Sequence, residues 1–237
     1  MPRIPRLFSY CLPFDDGAAP NPNGGVCTLA ICKPRIRSAA RVDDLIVGTG
    51  ARYARRGRTA QDMSGRLIYA MRVTQKMSME EYDRYTQAYL PEKIPDLASD
   101  DWKRRRGDSI YDFSTGRPAQ RPGPHGRGNV NTDLRGKYVL LSREFVYFGA
   151  NAIPLPEHLL AIAQNRQGHR STLNQPYLES FVEWIESLGH AAGSVLGEPL
   201  MVDTDDLTKR WCANCRAEDD QEDEEDNIEV VREACRR

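Results

Sequence analysis

The sequence predicts an α+β domain: a small curved sheet or barrel flanked by helices. Three observations carry this reading. Short strand-like runs crowd the first half of the chain, well-signed helices come later, and no regular strand–helix–strand alternation links them. The chain has 237 residues, 40% hydrophobic and 28% charged, the balance of an ordinary globular protein with a real core. Residues 1–200 are assigned to the domain and 201–237 to a linker and tail.

Taken in order, Leu7–Cys11 reads as a first strand, followed by the turn-rich segment Asp15–Gly25. Val26–Cys32 resumes with β-branched and apolar residues, and Lys33-Pro34-Arg35-Ile36-Arg37 alternates charge with apolar or constrained positions. Asp43-Asp44 turns the chain into a strand, Leu45–Val47, that stops at Gly48-Thr49-Gly50. Arg66–Val73 is almost continuously apolar, as a centrally buried strand should be. Ser78-Met79-Glu80-Glu81 is a capping box that opens a helix to about Tyr89, ended by Pro91. Asp96–Lys137 is rich in Gly, Pro, Arg and Asp and has little periodicity, the mark of a functional or mobile segment. Tyr138–Ser142 and Phe145–Phe148 read as a strand or bent strand pair. Pro156 suits the first turn of a helix to about Asn165. Asn174 is an N-cap for another helix, with a broad apolar face from Tyr177 to Leu188, closed by Gly189.

Charge is polarised along the chain. The net charge is −1, yet residues 1–137 hold 24 Lys and Arg against 15 Asp and Glu, and residues 138–237 hold 9 against 19. From Ala217 to Glu229, nine of thirteen residues are acidic, so the tail is expected to stay solvated and disordered. This asymmetry points to a polyanion partner with an acidic appendage, or to two solvated faces of opposite sign. No apolar run approaches the roughly 20 residues that cross a bilayer, and Met1–Arg6 carries two prolines and no apolar stretch, so a cytoplasmic location without membrane partners is expected. Cys212-Ala213-Asn214-Cys215 has a metal-knuckle spacing but no second ligand pair nearby. Reduced thiols, no metal and no cofactor are expected.

Lys33, Arg35, Arg37 and Arg41 precede the Leu45–Val47 strand, and Arg52, Arg55, Arg56 and Arg58 follow it. Guanidinium forks match phosphate oxygens, so these groups are candidate phosphate holders, the alternative being solvated loop arginines. Lys103–Arg106 is a candidate flexible clamp. Gly48-Thr49-Gly50 fits neither a P-loop nor a dinucleotide fingerprint and signals close backbone approach to a ligand or to another strand. Tyr138, Phe145, Tyr147 and Phe148 are core residues or base-stacking rings. Asp108, Tyr111, His125 and Asp133 are the acid–base candidates; the sequence does not place them together.

The runs Ala19–Pro22, Cys27–Arg37, Asp44–Gly50, Arg66–Val73, Gly107–Tyr111 and Phe145–Gly149 resemble the second nucleotide-modification-associated domain family. That resemblance covers about residues 5–190 and implies a bacterial or phage system that hypermodifies DNA bases. A looser similarity to PUA-like barrels of the ASCH and EVE type implies a base pocket formed by Asn21, Thr28, Lys33, Arg35, Thr49 and Tyr69. Arg37 joins them as a phosphate contact. The leading expectation is therefore a module that binds nucleic acid or a (modified) nucleotide. The alternatives are an enzyme using Asp108, His125 or Asp133, and an assembly protein whose acidic tail competes with nucleic acid or docks on a protein partner. Removing residues 217–237 is expected to raise polyanion affinity in a filter-binding titration; unchanged affinity would dismiss the competitor role.

Overall fold

The computed structural model describes residues 3–56, 59–164 and 168–201. The acidic tail, the Cys212–Cys215 pair and Arg58 lie outside the described residues, as do the side chains of Arg55 and Arg56. In chain order the elements are β1 (Leu7–Leu12), β2 (Cys27–Leu29), α1 (Pro34–Ala39), β3 (Leu45–Gly50), β4 (Ala54–Arg56), β5 (Thr59–Gln61), β6 (Arg66–Arg72), β7 (Gln75–Ser78) and α2 (Met79–Tyr89). There follow α3 (Trp102–Arg105), β8 (Tyr111–Asp112), β9 (Ala119–Gln120), α4 (Val130–Arg135), β10 (Tyr138–Ser142), β11 (Glu144–Tyr147), β12 (Ile153–Pro154), β13 (His169–Arg170), α5 (Leu178–Ser187) and β14 (Ser194–Val195).

A larger sheet runs in the order β13-β1-β3-β6-β11-β14, with β12 also paired to β6, and a smaller one in the order β2-β10-β7. Within the larger sheet β1 pairs parallel with β3, whereas β3, β6 and β11 pair antiparallel. The fold is α+β, as the sequence predicts. Neither sheet closes, so no barrel forms among the described residues.

The central strands β1, β3 and β6 of the large sheet are buried on both faces, which is why they read as nearly unbroken apolar runs. One face packs on α5 and the turn Glu157–Ile162 through Leu7, Val47, Leu67, Leu159 and Phe181. The other packs on β2, β10 and α1 through Phe8, Ile46, Met71, Leu29, Leu140 and Ile36. The far side of the small sheet packs on α2 and α4 through Met77, Val139, Leu141, Tyr82 and Leu134. Each fully buried Leu, Ile or Phe contributes roughly 1.5–3 kcal/mol.

Local signals explain most boundaries. The Ser78 hydroxyl accepts from the Glu81 amide at 3.1 Å and the Glu81 carboxylate accepts from the Ser78 amide at 2.7 Å, so α2 starts where the capping box places it. Elsewhere tertiary contacts override local preference. Asn174 does not cap a helix; its amide is used on Leu7 O and Ser9 Oγ of β1, and α5 begins four residues later. The expected helix after Pro156 is the 3-10 segment Glu157–Ile162. Asp96–Lys137, expected to lack regular structure, carries α3, β8, β9 and α4.

Gly48 lies in a cross-strand row with Tyr10 of β1, Tyr69 of β6 and Tyr147 of β11. A Cβ at Gly48 would collide with the Tyr69 ring and the Leu12 side chain, so the glycine makes room for Tyr69 to lean toward Tyr10, where the two hydroxyls meet at 2.9 Å. Gly48→Ala is expected to cost about 1–3 kcal/mol through overpacking; an unfolding midpoint in urea equal to that of the native chain would refute this account.

Candidate active site

Beyond β2 the backbone enters the left-handed region at two consecutive non-glycine residues, Cys32 (φ 57°) and Lys33 (φ 41°), before Pro34 opens α1. Such geometry costs on the order of 1–3 kcal/mol per residue and persists only where the surroundings enforce it. Here they do. The Cys32 amide donates to Asp133 Oδ1 at 3.0 Å, and the Cys32 carbonyl accepts from Arg37 Nε at 2.7 Å.

The Cys32 side chain, which is partly exposed, thereby meets His125: Sγ lies 3.2 Å from Nε2. On the other side of the imidazole, Nδ1 lies 2.7 Å from Asp133 Oδ2. His125 and Asp133 are both buried. The histidine sits on a loop fixed by Gln120, whose Nε2 donates to the carbonyls of His125 and Gly126. Asp133, on α4, also accepts from the Tyr111 hydroxyl at 2.9 Å. Burial works against its ionisation, but the His125 interaction, the Arg37 charge and the Cys32 amide outweigh it and hold the carboxyl below the usual carboxylate range. Burial and that carboxylate together push the Tyr111 hydroxyl up, so it remains a donor.

An ionised Asp133 orients His125 with Nδ1–H toward the carboxylate, and Nε2, the nitrogen facing the Cys32 thiol, is then the basic one. Thiol, imidazole and carboxylate in this order form the arrangement that generates a nucleophilic thiolate. No group of three or more His, Cys, Asp or Glu among the described residues is arranged to hold a metal.

Two further polar clusters lie inside the fold. Lys93 is fully buried, and its three N–H donors are shared among four acceptors, Asn21 O, Asn21 Oδ1, Val26 O and Thr28 Oγ1, at 2.8–3.0 Å. Thr28 in turn donates to Asp108 Oδ2 at 2.5 Å, and the Tyr82 hydroxyl to Asp108 Oδ1 at 2.7 Å. Burial lowers the Lys93 pKa, opposed by Asp108, and burial raises that of Asp108, opposed by Lys93. The second cluster is the tyrosine row. Its Tyr147 hydroxyl donates to Asp15 Oδ1 at 2.6 Å.

The structure thus brings His125 and Asp133 together and sets Asp108 apart, against Lys93. Asn21 and Thr28 also converge, but around that internal ammonium. Thr49 is fully buried, its hydroxyl donating to Tyr10 O at 3.3 Å and accepting from the Gln164 amide at 3.1 Å. Tyr69 belongs to the tyrosine row. The close approach at Gly48 and Gly50 is to Tyr69, Leu12 and Met63. Arg35 is exposed on α1, and the Lys33 ammonium lies 5.2 Å from the Tyr10 ring centroid, next to Cys32. Arg37, expected to grip an anion, is fully buried, and its guanidinium donates to the main-chain carbonyls of Cys32, Asp133 and Tyr138. Of the clamp segment Lys103–Arg106, Arg105 donates to Ser99 O and Asp100 O, and Arg106 lies 3.9 Å from Asp16.

Cys32 is the residue that sequence reasoning missed. Its local signal is a cysteine two residues ahead of a helix-opening proline, but nothing local ties it to a histidine 93 positions away.

Residues 4–206 match the family described as nucleotide modification associated domain 2. No curated protein and no solved structure matches the chain.

Asp15 yields a pH prediction. Burial pushes its pKa up to about 7, the Tyr147 hydrogen bond opposing. The folded state therefore keeps a proton that the unfolded chain releases near pH 4, and stability should fall as pH rises from about 4 to about 7. Asp15→Asn is expected to gain about 1–3 kcal/mol over the native chain at pH 8 and little at pH 4. Parallel urea titrations with no pH-dependent difference would overturn this assignment.

Proposed function

Because the chain belongs to the nucleotide modification associated domain 2 family, we propose that it is a thiol-dependent acyl-transfer enzyme acting on a nucleotide-linked substrate. The observation that carries this reading is the line from the partly exposed Cys32 Sγ through His125 to the buried Asp133, at 3.2 and 2.7 Å. A domain that only holds a base has no need of a thiol in strained backbone geometry aligned on a carboxylate-oriented imidazole.

In the proposed reaction His125 Nε2 takes the Cys32 proton as Sγ bonds to an acyl carbon. The bond from that carbon to its leaving oxygen or nitrogen breaks, and the leaving atom departs with the proton from His125. Water or an amine then adds to the thioester carbon while His125 takes its proton. The carbon–sulfur bond breaks, and the thiol is restored by the same proton. Asp133 keeps the imidazole in the required tautomer and stabilises its cation. Lys33 and Arg35 flank the thiol from the start of α1 and supply positive charge for the substrate's phosphates.

Alkylation tests the reading without knowledge of the substrate. Iodoacetamide labelling between pH 6 and 8, followed by peptide mass spectrometry, should modify Cys32 far ahead of the buried Cys11 and Cys27. His125→Ala should slow that labelling on the order of 10-fold or more. Labelling of Cys32 at the rate of free glutathione, unchanged by His125→Ala, would remove the nucleophile from the proposal and leave a binding module.

A further inference from the structure

A neutral donor could hold main-chain carbonyls together, so the positive charge that Arg37 carries into the core calls for a separate reason. Arg37 is fully buried. Its Nε donates to Cys32 O at 2.7 Å, Nη1 to Tyr138 O at 2.9 Å and Nη2 to Asp133 O, and Met79 Sδ lies 3.9 Å from Nη1. Each of these acceptors is uncharged, so together they solvate the cation without cancelling it. Taking a cation out of water is costly unless a nearby anion gains from its presence.

Two fixed charges of opposite sign flank the Cys32 sulfur. Asp133 Oδ1 accepts from the Cys32 amide at 3.0 Å, and Arg37 holds the carbonyl of the same residue. Both charges therefore stand within about 8 Å of Sγ. At that range inside a protein, a carboxylate disfavours a thiolate and a guanidinium favours one, each by roughly 1–2 pH units. Asp133 orients His125, yet its charge opposes the thiolate that the imidazole would create. The other ionisable groups near the thiol leave this conflict in place. Burial pushes the Tyr10 and Tyr111 hydroxyls up, so both stay neutral. Arg35 is exposed and Lys33 partly so, where water screens them.

We propose that Arg37 is the counter-charge of the site: it offsets the Asp133 carboxylate at Cys32 Sγ, so that Asp133 can orient His125 without opposing the thiolate beside it. The buried charges of Arg37 and Asp133 then sum to zero, and the sum is unchanged when the proton moves from Cys32 to His125. The use of this offset in acyl transfer rests on the thiol reading above; the field at the sulfur does not.

The pH dependence of iodoacetamide labelling at Cys32, measured on the full chain in a His125→Ala background, tests the inference. Peptide mass spectrometry locates the label and circular dichroism checks the fold of each variant. Without the imidazole, its alignment no longer matters, and the thiol answers to the two fixed charges. Adding Arg37→Met should move the labelling midpoint up by roughly 1–2 pH units, because the thiolate loses its cation and keeps the carboxylate. Arg37→Lys, which retains a charge, should move it less. Asp133→Asn should move it down by a similar amount, and Arg37→Met with Asp133→Asn should return it toward the His125→Ala value. Should Arg37→Met fail to fold, Asp133→Asn decides the question by itself. A midpoint unmoved by Arg37→Met or by Asp133→Asn, or moved as far by Arg37→Lys as by Arg37→Met, would overturn the inference and leave Arg37 a mechanical brace. Failure of the thiol reading looks different, since His125→Ala alone would then leave the native labelling rate unchanged.

Discussion

The buried guanidinium of Arg37 is the constraint on which the rest of the site depends. It reaches the end of the β2 segment, the last turn of α4 and the first residue of β10 by donating to the carbonyls of Cys32, Asp133 and Tyr138. Gly136 makes this possible, because a side chain there would occupy the guanidinium's place. A buried cation without this hydrogen-bond set would be strongly unfavourable. With it, three segments far apart in sequence are held in one geometry, and the Asp133 carboxylate and His125 ring are held in line with the thiol. The planar fork presents its donors in fixed directions, which a rotatable ammonium does not.

Legibility in the sequence followed the range of the interactions. The strands Leu7–Leu12 and Arg66–Arg72 and the helix Met79–Tyr89 were readable because burial on two faces and a capping box are written in adjacent residues. Asn174 misled because its side chain answers to β1, 165 residues away at Ser9, and not to its own helix. His125 and Asp133 were recognisable as acid–base residues, but their pairing depends on the 3-10 turn Arg127–Asn129 and on α4, which fold a Gly- and Pro-rich segment without periodicity. Arg37 looked like an anion ligand because Arg35 and Arg37 alternate along the chain. On a helix that spacing turns one outward and the other into the core.

The polar interior also explains why two long loops are ordered. The Asp15–Val26 loop is tied down through Asn21 and Val26 to Lys93, and through Asp15 to Tyr147. The Lys93 ammonium adds to the hydrogen bonds that Asn21 already accepts and reaches the Val26 carbonyl inside the core. Asp108 reaches the same cluster through Thr28 and Tyr82, which partner both carboxylate oxygens. Such networks specify one arrangement because any partial version leaves an unsatisfied buried group.

The two sheets are built from a single ribbon. β6 continues into β7 across Val73-Thr74, and β10 into β11 across Arg143. The same two chain segments pair antiparallel in the large sheet and again in the small one. At the crossing, the Ser142 hydroxyl donates to the Arg72 carbonyl and accepts from the Glu144 amide. The sheets therefore cannot slide past each other like stacked cards; they are covers on a common spine, closed on the core between them. The thiol rides on one cover and the tyrosine row on the other, so the width between them is governed by a bend only a few residues long.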